Sequence, residues 1–101
     1  MGKVKTHDKA DPRLLGRPVI LENGKAVVEL TANREMVVDD RDLVHGGFTF
    51  GLADYAAMLA VNDPYVVLGS ADVKFTAPVK AGDRMVATGL VESVEGKRRD
   101  V

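Results

Sequence analysis

The longest apolar stretch of the chain, Gly46 to Val61, carries a single charged residue, Asp54. Five of its apolar side chains recur at intervals of three and four residues, which is the spacing of an α-helix. These positions are Phe48, Leu52, Tyr55, Ala56 and Leu59. Small apolar residues fill most of the other positions, so the pattern predicts a helix that is buried nearly all round. The helix is expected to end at Asn62 and Asp63, because Pro64 disfavours helical geometry in the residue before it.

Charge and composition exclude several classes of protein. The 101 residues are 46% hydrophobic and include 14 basic and 15 acidic side chains, which favours one globular domain with a net charge near zero. Nucleic-acid-binding modules usually carry a basic surplus, so no nucleic-acid partner is expected. The absence of cysteine excludes disulfides and thiolate metal sites. No segment reads as a signal peptide or a membrane span, so we expect a cytoplasmic protein with no membrane partner.

The region before the helix divides into two parts. Residues 1–17 are polar and loop-like, and we interpret them as an N-terminal arm that precedes a single domain, residues 18–101. A β-hairpin is predicted from Pro18 to Val38, with its turn at residues 22–24. Its second strand shows the alternation of a half-buried strand at Ala26, Val28 and Leu30.

The sequence after the helix predicts further β-strands. Residues 66–75 and 85–94 are rich in valine, and Pro78 with Gly82 and Asp83 marks a turn between them. Residues Gly96 to Val101 resemble a turn that enters another strand. A sheet that covers a helix of about 24 Å needs more strands than these. We therefore expect either that the domain is C-terminally incomplete or that a partner chain completes the sheet.

Asp54 is the first candidate functional residue. Burial of an ionised carboxylate without a partner costs several kcal/mol and usually raises its pKa. The functional interpretation is a general base or nucleophile in an apolar cleft. The alternative is a carboxylate that binds backbone groups or faces solvent at one edge of the helix.

The His45-Gly46-Gly47 sequence is the second candidate. Free amides at a helix N-terminus bind anions, and glycine allows a carbonyl or phosphate oxygen to approach closely. Acyl transfer requires such a site for its oxyanion. A tight turn into the helix is the simpler interpretation of the glycine pair, and His45 can polarise a ligand or cap the helix.

The spacing of these two candidates indicates a second chain. Asp54 follows Gly46 by eight residues, which places it about 12 Å along the helix from the N-terminal amides. One helix cannot bring both groups to the same carbonyl carbon. In a symmetric dimer with antiparallel helices, Asp54 of one subunit can approach Gly46 and Gly47 of the other. An enzyme built from these residues is therefore expected to be a homodimer or a larger homo-oligomer.

The sequence from His45 to Asp54, with Asn62, Phe75, Pro78 and Gly82-Asp83 downstream, resembles the hotdog-fold thioesterases of the phenylacetate-degradation (PaaI) type. The resemblance covers residues 39–94. It implies an α+β fold in which a long central helix is wrapped by a curved antiparallel sheet. It also implies dimers or tetramers that hydrolyse acyl-coenzyme A (acyl-CoA) thioesters.

The resemblance also implies roles for individual residues. Asp54 matches the base or nucleophile, Gly46 or Gly47 the oxyanion donor, and His45 the residue that shapes the start of the helix. The acyl group would lie beside the helix, where Phe50, Tyr55 and Met58 are candidates to line its pocket. The phosphates of coenzyme A would need cations, for which the candidates are Lys74, Lys80, Arg84, Lys97, Arg98 and Arg99.

Two positions depart from the pattern of this type. Asp39 stands where many relatives have an asparagine near the thioester carbonyl, and an anion polarises a carbonyl poorly. Leu68 stands where some relatives have a serine or threonine that holds the attacking water. Ser70 lies two residues further on, on the same face of the predicted strand.

Three functions remain open on the sequence. The first is acyl-CoA thioester hydrolysis by a homo-oligomer, with no metal and no cofactor beyond the coenzyme A of the substrate. The second is a non-catalytic acyl-CoA-binding or sensing protein of the same fold, which would account for Asp39 and Leu68. The third, a hydratase or dehydratase, requires a polar base dyad, and the core region contains only one histidine, His45.

Overall fold

The computed structural model describes residues 1–101 and has the predicted α+β architecture. The helices are α1 (Pro12–Leu15) and α2 (Gly46–Val61), with a 3₁₀ turn at Arg34–Met36. The strands are β1 (Arg17–Glu22), β2 (Lys25–Thr31), β3 (Arg84–Leu90), β4 (Ser93–Glu95) and β5 (Arg98–Asp100). No helix is both long enough and apolar enough to cross a bilayer.

Strands β1, β2 and β3 form an antiparallel sheet with β2 in the centre. The predicted hairpin is present, and its turn lies between Glu22 and Lys25. Its second strand ends at Thr31, earlier than predicted, because the chain then enters the 3₁₀ turn. Ala26, Val28 and Leu30 point to the buried face, as the alternation predicts.

Helix α2 has the predicted bounds and packs against β2 and β3. The core joins Leu52, Ala56 and Leu59 of the helix to Val28 and Leu30 of the sheet. Burial of each leucine contributes about 2 kcal/mol to the hydrophobic stabilisation. The helix ends at Asn62, which adopts the left-handed conformation (φ 53°) and donates its amide to Met58. This termination agrees with the prediction from the Asn-Asp-Pro sequence.

The predicted burial of α2 on all sides is wrong for the single chain. Ala53 is exposed, and Phe50, Asp54, Ala57 and Val61 are only partly buried. The apolar character of these positions led to the prediction, but the sheet and the arm together cover only part of the helix circumference.

The predicted strand at residues 66–75 is also absent from the single chain. No backbone group of residues 67–78 takes part in a hydrogen bond within the chain. Tyr65, Val67 and Phe75 are 89%, 81% and 59% exposed. The sequence has strand character, but a strand forms only where a neighbouring strand supplies hydrogen-bond partners.

The C-terminal region follows the prediction more closely. The turn at Lys80–Asp83 leads into β3, which is shorter than the predicted residues 85–94. The final residues form the predicted turn and strand, since β5 pairs with β4 as a separate two-stranded hairpin.

Gly89 sets the distance between β3 and α2. A Cβ atom built on Gly89 would lie 2.6 Å from the carbonyl oxygen of Ala56 and 3.1 Å from the backbone nitrogen of Ala57. Both contacts are with backbone, so the helix itself would have to move. We therefore expect Gly89→Ala to lower the free energy of unfolding by about 1–3 kcal/mol in urea denaturation. Gly69→Ala is the matched control, because no atom lies within 4 Å of its added Cβ. Equal stability of the two variants would contradict this assignment.

Candidate functional site

The surroundings of α2 divide its circumference into three sides. Successive residues advance by about 100° around a helix, so residues three or four apart share a side. The side with Leu52, Ala56 and Leu59 faces the sheet, and the side with Gly51, Tyr55 and Asn62 contacts the N-terminal region. We call the third side the open side; its members are Gly46, Phe50, Ala53, Asp54, Ala57 and Val61. It is apolar apart from Asp54 and is covered only in part.

The N-terminal region runs along α2 in the opposite direction. The amide of Lys5 donates to Oδ1 of Asn62 at 2.8 Å, and Nδ2 of Asn62 donates to the carbonyl oxygen of Lys3 at 2.8 Å. Further along, His7 lies near Tyr55, and Leu15 lies against Gly51. The first residues are therefore fixed along one side of the helix.

Asp54 lies at the edge of the open side that is nearer to this arm. Its Oδ1 atom is buried and has no hydrogen-bond partner in the chain. Burial raises the pKa of the Asp54 carboxyl group, and the positive charge of His7 acts in the opposite direction with a smaller effect. An unsatisfied buried carboxylate oxygen is uncommon in proteins and is typical of functional sites.

The two glycines at the start of α2 have different environments. His45 caps the helix, because its Nδ1 atom accepts a hydrogen bond from the Gly47 amide at 2.7 Å. A Cβ atom on Gly47 would lie 2.8 Å from this Nδ1, so glycine permits the cap. The Gly46 amide donates no hydrogen bond within the chain. Of the two candidate oxyanion donors, only Gly46 therefore has a free amide.

Phe75 lies beside Gly46. A Cβ atom on Gly46 would be 3.4 Å from the Phe75 ring. The chain after α2 thus reverses direction and returns to the N-terminal end of the helix. The amide of Val44 also donates to the carbonyl oxygen of Val79 at 2.8 Å, which holds this return in place.

Asp39 lies in the turn that precedes α2. Its Oδ1 atom accepts hydrogen bonds from the amides of Arg41 (2.9 Å) and Leu43 (3.0 Å). Its Oδ2 atom pairs with the Arg41 guanidinium at 3.2 Å. These interactions, with the Leu43 amide first, hold the pKa of Asp39 below its ordinary value. In this chain Asp39 thus has a structural role in the turn.

The remaining candidates are more scattered. Phe50 is on the open side one turn before Asp54, whereas Ser70 is exposed and makes no hydrogen bond. The strand face predicted for Ser70 does not exist in the single chain. Among the candidate cations, Arg84 pairs with Glu29 and Arg98 pairs with Asp100 at 3.1 Å. Lys97 lies in the turn between β4 and β5.

The single chain does not bring the candidate groups together. Asp54 and Gly46 are on one helix and about 12 Å apart along its axis, as the spacing predicts. Two surface depressions, of about 280 and 260 Å³, are lined by residues of the arm and the β1–β2 hairpin, the larger also by the C-terminal end of α2. Neither is lined by Asp54 or Gly46.

Two contributors to the site were missed by the sequence analysis. His7 is in the arm, more than forty residues from Asp54, and no periodicity marks it. Asn62 was assigned to the end of the helix and to the family resemblance, but the contact of its side chain with the arm was not predicted. Only the path of the arm along α2 reveals both roles.

Comparison with solved structures places this architecture in a known fold. An uncharacterised protein of Pyrococcus horikoshii, PH1136, is 53% identical, with a TM-score of 0.95 over 97% of this chain and 75% of that one. The TT0310 protein of Thermus thermophilus is 30% identical, with a TM-score of 0.72 over 85% of this chain and 76% of that one. The Escherichia coli PaaI protein, from the phenylacetic acid degradation operon, is 32% identical, with a TM-score of 0.68 over 77% of this chain and 60% of that one.

These similarities confirm the predicted fold: the chain belongs to the hotdog superfamily. No model of an individual protein family matches the chain.

The similar curated proteins have different names. A methylthioribose-1-phosphate isomerase of Aquifex aeolicus is 47% identical over 98 residues, which are 97% of this chain and 22% of the isomerase. The transcription factor FapR of Bacillus velezensis is 31% identical over 84% of this chain and 46% of FapR. The chain therefore spans less than half of either relative.

The environment of Asp54 predicts a pH-dependent stability. Because its pKa is raised on folding, the unfolded chain ionises first as the pH rises above the ordinary value of 3.8. Ionisation of Asp54 costs more free energy in the folded chain than in the unfolded chain. The free energy of unfolding therefore decreases as the pH rises. We expect Asp54→Asn to be more stable than the wild type in urea denaturation at neutral pH, and to show less difference near pH 3. Asp40→Asn, which removes an exposed carboxylate, is the control. A loss of stability in Asp54→Asn at neutral pH would contradict this expectation.

Proposed function

We propose that this protein hydrolyses acyl-CoA thioesters as a homo-oligomer, with Asp54 as the base or nucleophile. The observation that carries the proposal is the buried, unpartnered Oδ1 of Asp54 on an otherwise apolar side of α2. Packing alone gives no reason for a carboxylate at this position, because its burial raises the free energy of the folded state. The likeness to the PaaI protein, together with the sequence resemblance to hotdog thioesterases, supports this reaction class.

A second copy of the chain would cover the open side. The exposed apolar segment at residues 65–75 and the open side of α2 both lack a partner in the single chain. Pairing of this segment with its copy would provide hydrogen bonds for residues 67–78. With the two helices antiparallel, Asp54 of one subunit would approach Gly46 of its partner, which gives two equivalent sites.

The geometry favours Gly46 over Gly47 as the oxyanion donor. The Gly47 amide is already bonded to Nδ1 of His45, whereas the Gly46 amide is free at the positive end of the α2 dipole. In this proposal, His45 shapes the start of the helix and keeps the Gly46 amide available. The Phe75 ring beside Gly46 would shield the carbonyl group from water.

The reaction can follow one of two routes. As a base, Asp54 would take a proton from water, and the water oxygen would attack the thioester carbon. The C–S bond would then break, and the thiolate of coenzyme A would leave and take up a proton. As a nucleophile, Asp54 would attack the carbon itself, and the C–S bond would break with departure of the coenzyme A thiolate, which takes up a proton. Water would then hydrolyse the resulting anhydride and release Asp54 and the carboxylic acid. Both routes need only water, so we propose no metal and no cofactor.

The same site suggests where the substrate lies. The acyl group would extend along the open side past Phe50, which is partly buried one turn from Asp54. The phosphates of coenzyme A would bind basic side chains near the mouth of the site. Four of the candidates form no ion pair in the chain: Lys74, Lys80, Lys97 and Arg99.

One observation favours a second candidate, an acyl-CoA-binding or sensing function without catalysis. The chain is similar to a transcription factor over 84% of its length. Asp39 is also engaged in its own turn, so it is poorly placed to activate a thioester carbonyl. Both candidate functions involve binding of an acyl-CoA, and they differ only in whether the thioester is hydrolysed.

Thiol release from short, medium, long and aromatic acyl-CoAs distinguishes the two candidates. We expect Asp54→Asn to lower kcat/KM by at least about 100-fold, because general-base catalysis contributes rate factors of this order. The oligomer should remain intact, since the substitution preserves the size of the side chain. Asp40→Asn, in an exposed position, should retain full activity. Tight binding of an acyl-CoA with no turnover by the wild type would favour the sensing function.

The composite site is tested by combining two inactive subunits. Gly46→Pro removes the free amide at the first position of α2, where proline is well tolerated. The backbone of His45 (φ −59°, ψ 131°) already has the extended geometry that precedes proline. We expect Gly46→Pro to be inactive and Gly46→Ala, which keeps the amide, to remain active.

Co-expression of Asp54→Asn and Gly46→Pro subunits should then restore about one quarter of the wild-type activity. Half of the randomly formed dimers would be mixed, and each would contain one intact site of two. No activity in the mixed sample would show that Asp54 and Gly46 do not act across the subunit boundary.

A further inference from the structure

The three phenylalanines of the chain all lie at the start of α2. Phe48 and Phe50 belong to the first turns of the helix, and Phe75 reaches the same place from the segment that follows it. The Phe48 ring packs against the core and lies edge-on to the His45 ring, with 6.3 Å between the ring centres. Phe75, in contrast, is 59% exposed. Packing within the chain therefore accounts for Phe48 but not for Phe75.

The Phe75 ring closes the N-terminal end of the open side. Three adjacent ring atoms, Cδ1, Cε1 and Cζ, lie 3.7, 3.4 and 3.7 Å from the position of a Cβ atom on Gly46. Gly46 is a member of the open side, so this Cβ direction points to the open side as well. The distances are those of van der Waals contact, and no acyl chain fits between the ring and the helix backbone. A ligand on the open side would therefore meet the ring as a wall.

The segment that carries Phe75 is held next to the segment that enters α2. The amide of Val44 donates to the carbonyl oxygen of Val79 at 2.8 Å, and the amide of Ala81 donates to the carbonyl oxygen of Asp42 at 3.0 Å. Phe75 is four residues before Val79, a distance that the chain spans in at most about 14 Å. These bonds keep the ring at the N-terminal end of the helix.

This wall is close to the amide that binds the thioester carbonyl in the proposed function. The nitrogen and the Cβ position of one residue are about 2.5 Å apart, so the nearest ring atom is no more than about 6 Å from the Gly46 nitrogen. A carbonyl oxygen bonded to this nitrogen at about 2.9 Å would place the first carbon of the acyl chain within about 5.5 Å of it. The ring and this carbon would thus be neighbours of the same amide.

We propose that Phe75 is a specificity-determining residue: its ring limits the width of the acyl group at the carbon next to the thioester carbonyl, so that linear acyl-CoAs are favoured over α-branched ones. This inference rests on the proposed function, because it requires the carbonyl oxygen to bind the Gly46 amide. A linear acyl group passes the ring along the open side. A methyl branch on the first carbon would meet the ring or displace the oxygen from the amide.

The limit applies to the first carbon more than to later ones. The three atoms nearest to the Cβ position of Gly46 all belong to Phe75. Further along the helix, the open side carries the small residues Ala53 and Ala57. A branch further from the carbonyl therefore has more room than a branch on the first carbon.

Three isomeric thioesters test this inference: pentanoyl-CoA, 2-methylbutanoyl-CoA and 3-methylbutanoyl-CoA. We expect kcat/KM of the wild-type oligomer to be at least about 10-fold higher for pentanoyl-CoA than for 2-methylbutanoyl-CoA, because one misplaced methyl group has effects of this order. Phe75→Ala should lower this ratio about 5- to 10-fold and change the ratio of pentanoyl-CoA to 3-methylbutanoyl-CoA less. Phe75→Tyr, which keeps the ring, should retain both ratios.

The comparison of ratios separates selectivity from a structural role. The intrinsic reactivity of each isomer is the same for all variants, and a merely structural role of Phe75 would lower all three rates equally. Val94→Ala truncates an exposed apolar side chain on β4 and should leave the ratios unchanged. If Phe75→Ala does not assemble, Phe75→Leu takes its place, with a smaller change of the same ratio. Wild-type ratios in the Phe75 variant that assembles would overturn the inference and leave the hydrolase standing.

Binding decides the inference if the hydrolase fails. Absence of turnover of these thioesters and of longer acyl-CoAs would refute the hydrolase. The dissociation constants of the same three isomers are then measured by calorimetry. Tighter binding of pentanoyl-CoA than of 2-methylbutanoyl-CoA, with the difference reduced in Phe75→Ala, would retain Phe75 as the specificity-determining residue of a binding protein. Equal affinities for these two isomers, or no binding of either, would overturn the inference.

Discussion

The contact between one face of the sheet and one side of α2 is the interaction on which the rest of the structure depends. Gly89 brings β3 within van der Waals distance of the helix backbone at Ala56, and Leu59 is fully buried in the core between them. Because the sheet has only three strands, it covers one side of the helix. The arm covers a second side, and the apolar open side is covered only in part within the chain. This partial cover of α2 determines the environment of Asp54.

Asp54 lies at the boundary between a dry and an accessible environment. The core on one side lowers the local dielectric, which raises the pKa of the carboxyl group, and His7 partly offsets this effect. On the other side, the helix presents small residues such as Ala53 and Ala57 that leave room for a ligand or a second helix. Exclusion of water from this carboxylate by a substrate or a second subunit would raise its pKa further. Its Oδ1 atom has no hydrogen-bond partner in the chain.

The sequence predicted those features that depend on local patterns. The apolar period gave the bounds of α2, the alternation at Ala26 and Val28 gave the buried face of β2, and the motif around Gly46 led to the correct fold. The strand at residues 66–75 was wrong for the single chain, because strand character in a sequence does not specify which neighbour supplies the hydrogen bonds. The difference between Gly46 and Gly47 depends on the rotamer of His45, and the position of His7 depends on the path of the arm. Neither is encoded in residue spacing.

The similar proteins have different names, and the packing of α2 leaves room for such variety. An isomerase and a transcription factor both contain a stretch like this chain within a longer sequence. A core that uses only one side of α2 can keep its packing while the residues of the open side change. The Gly89 contact and the buried leucines constrain the fold, whereas the fold places no such requirement on Asp54 or the free amide of Gly46. The function of such a domain therefore depends on the open side and on the two segments that border it. These segments are the arm and the stretch from Asp63 to Phe75, which runs back to the N-terminal end of α2.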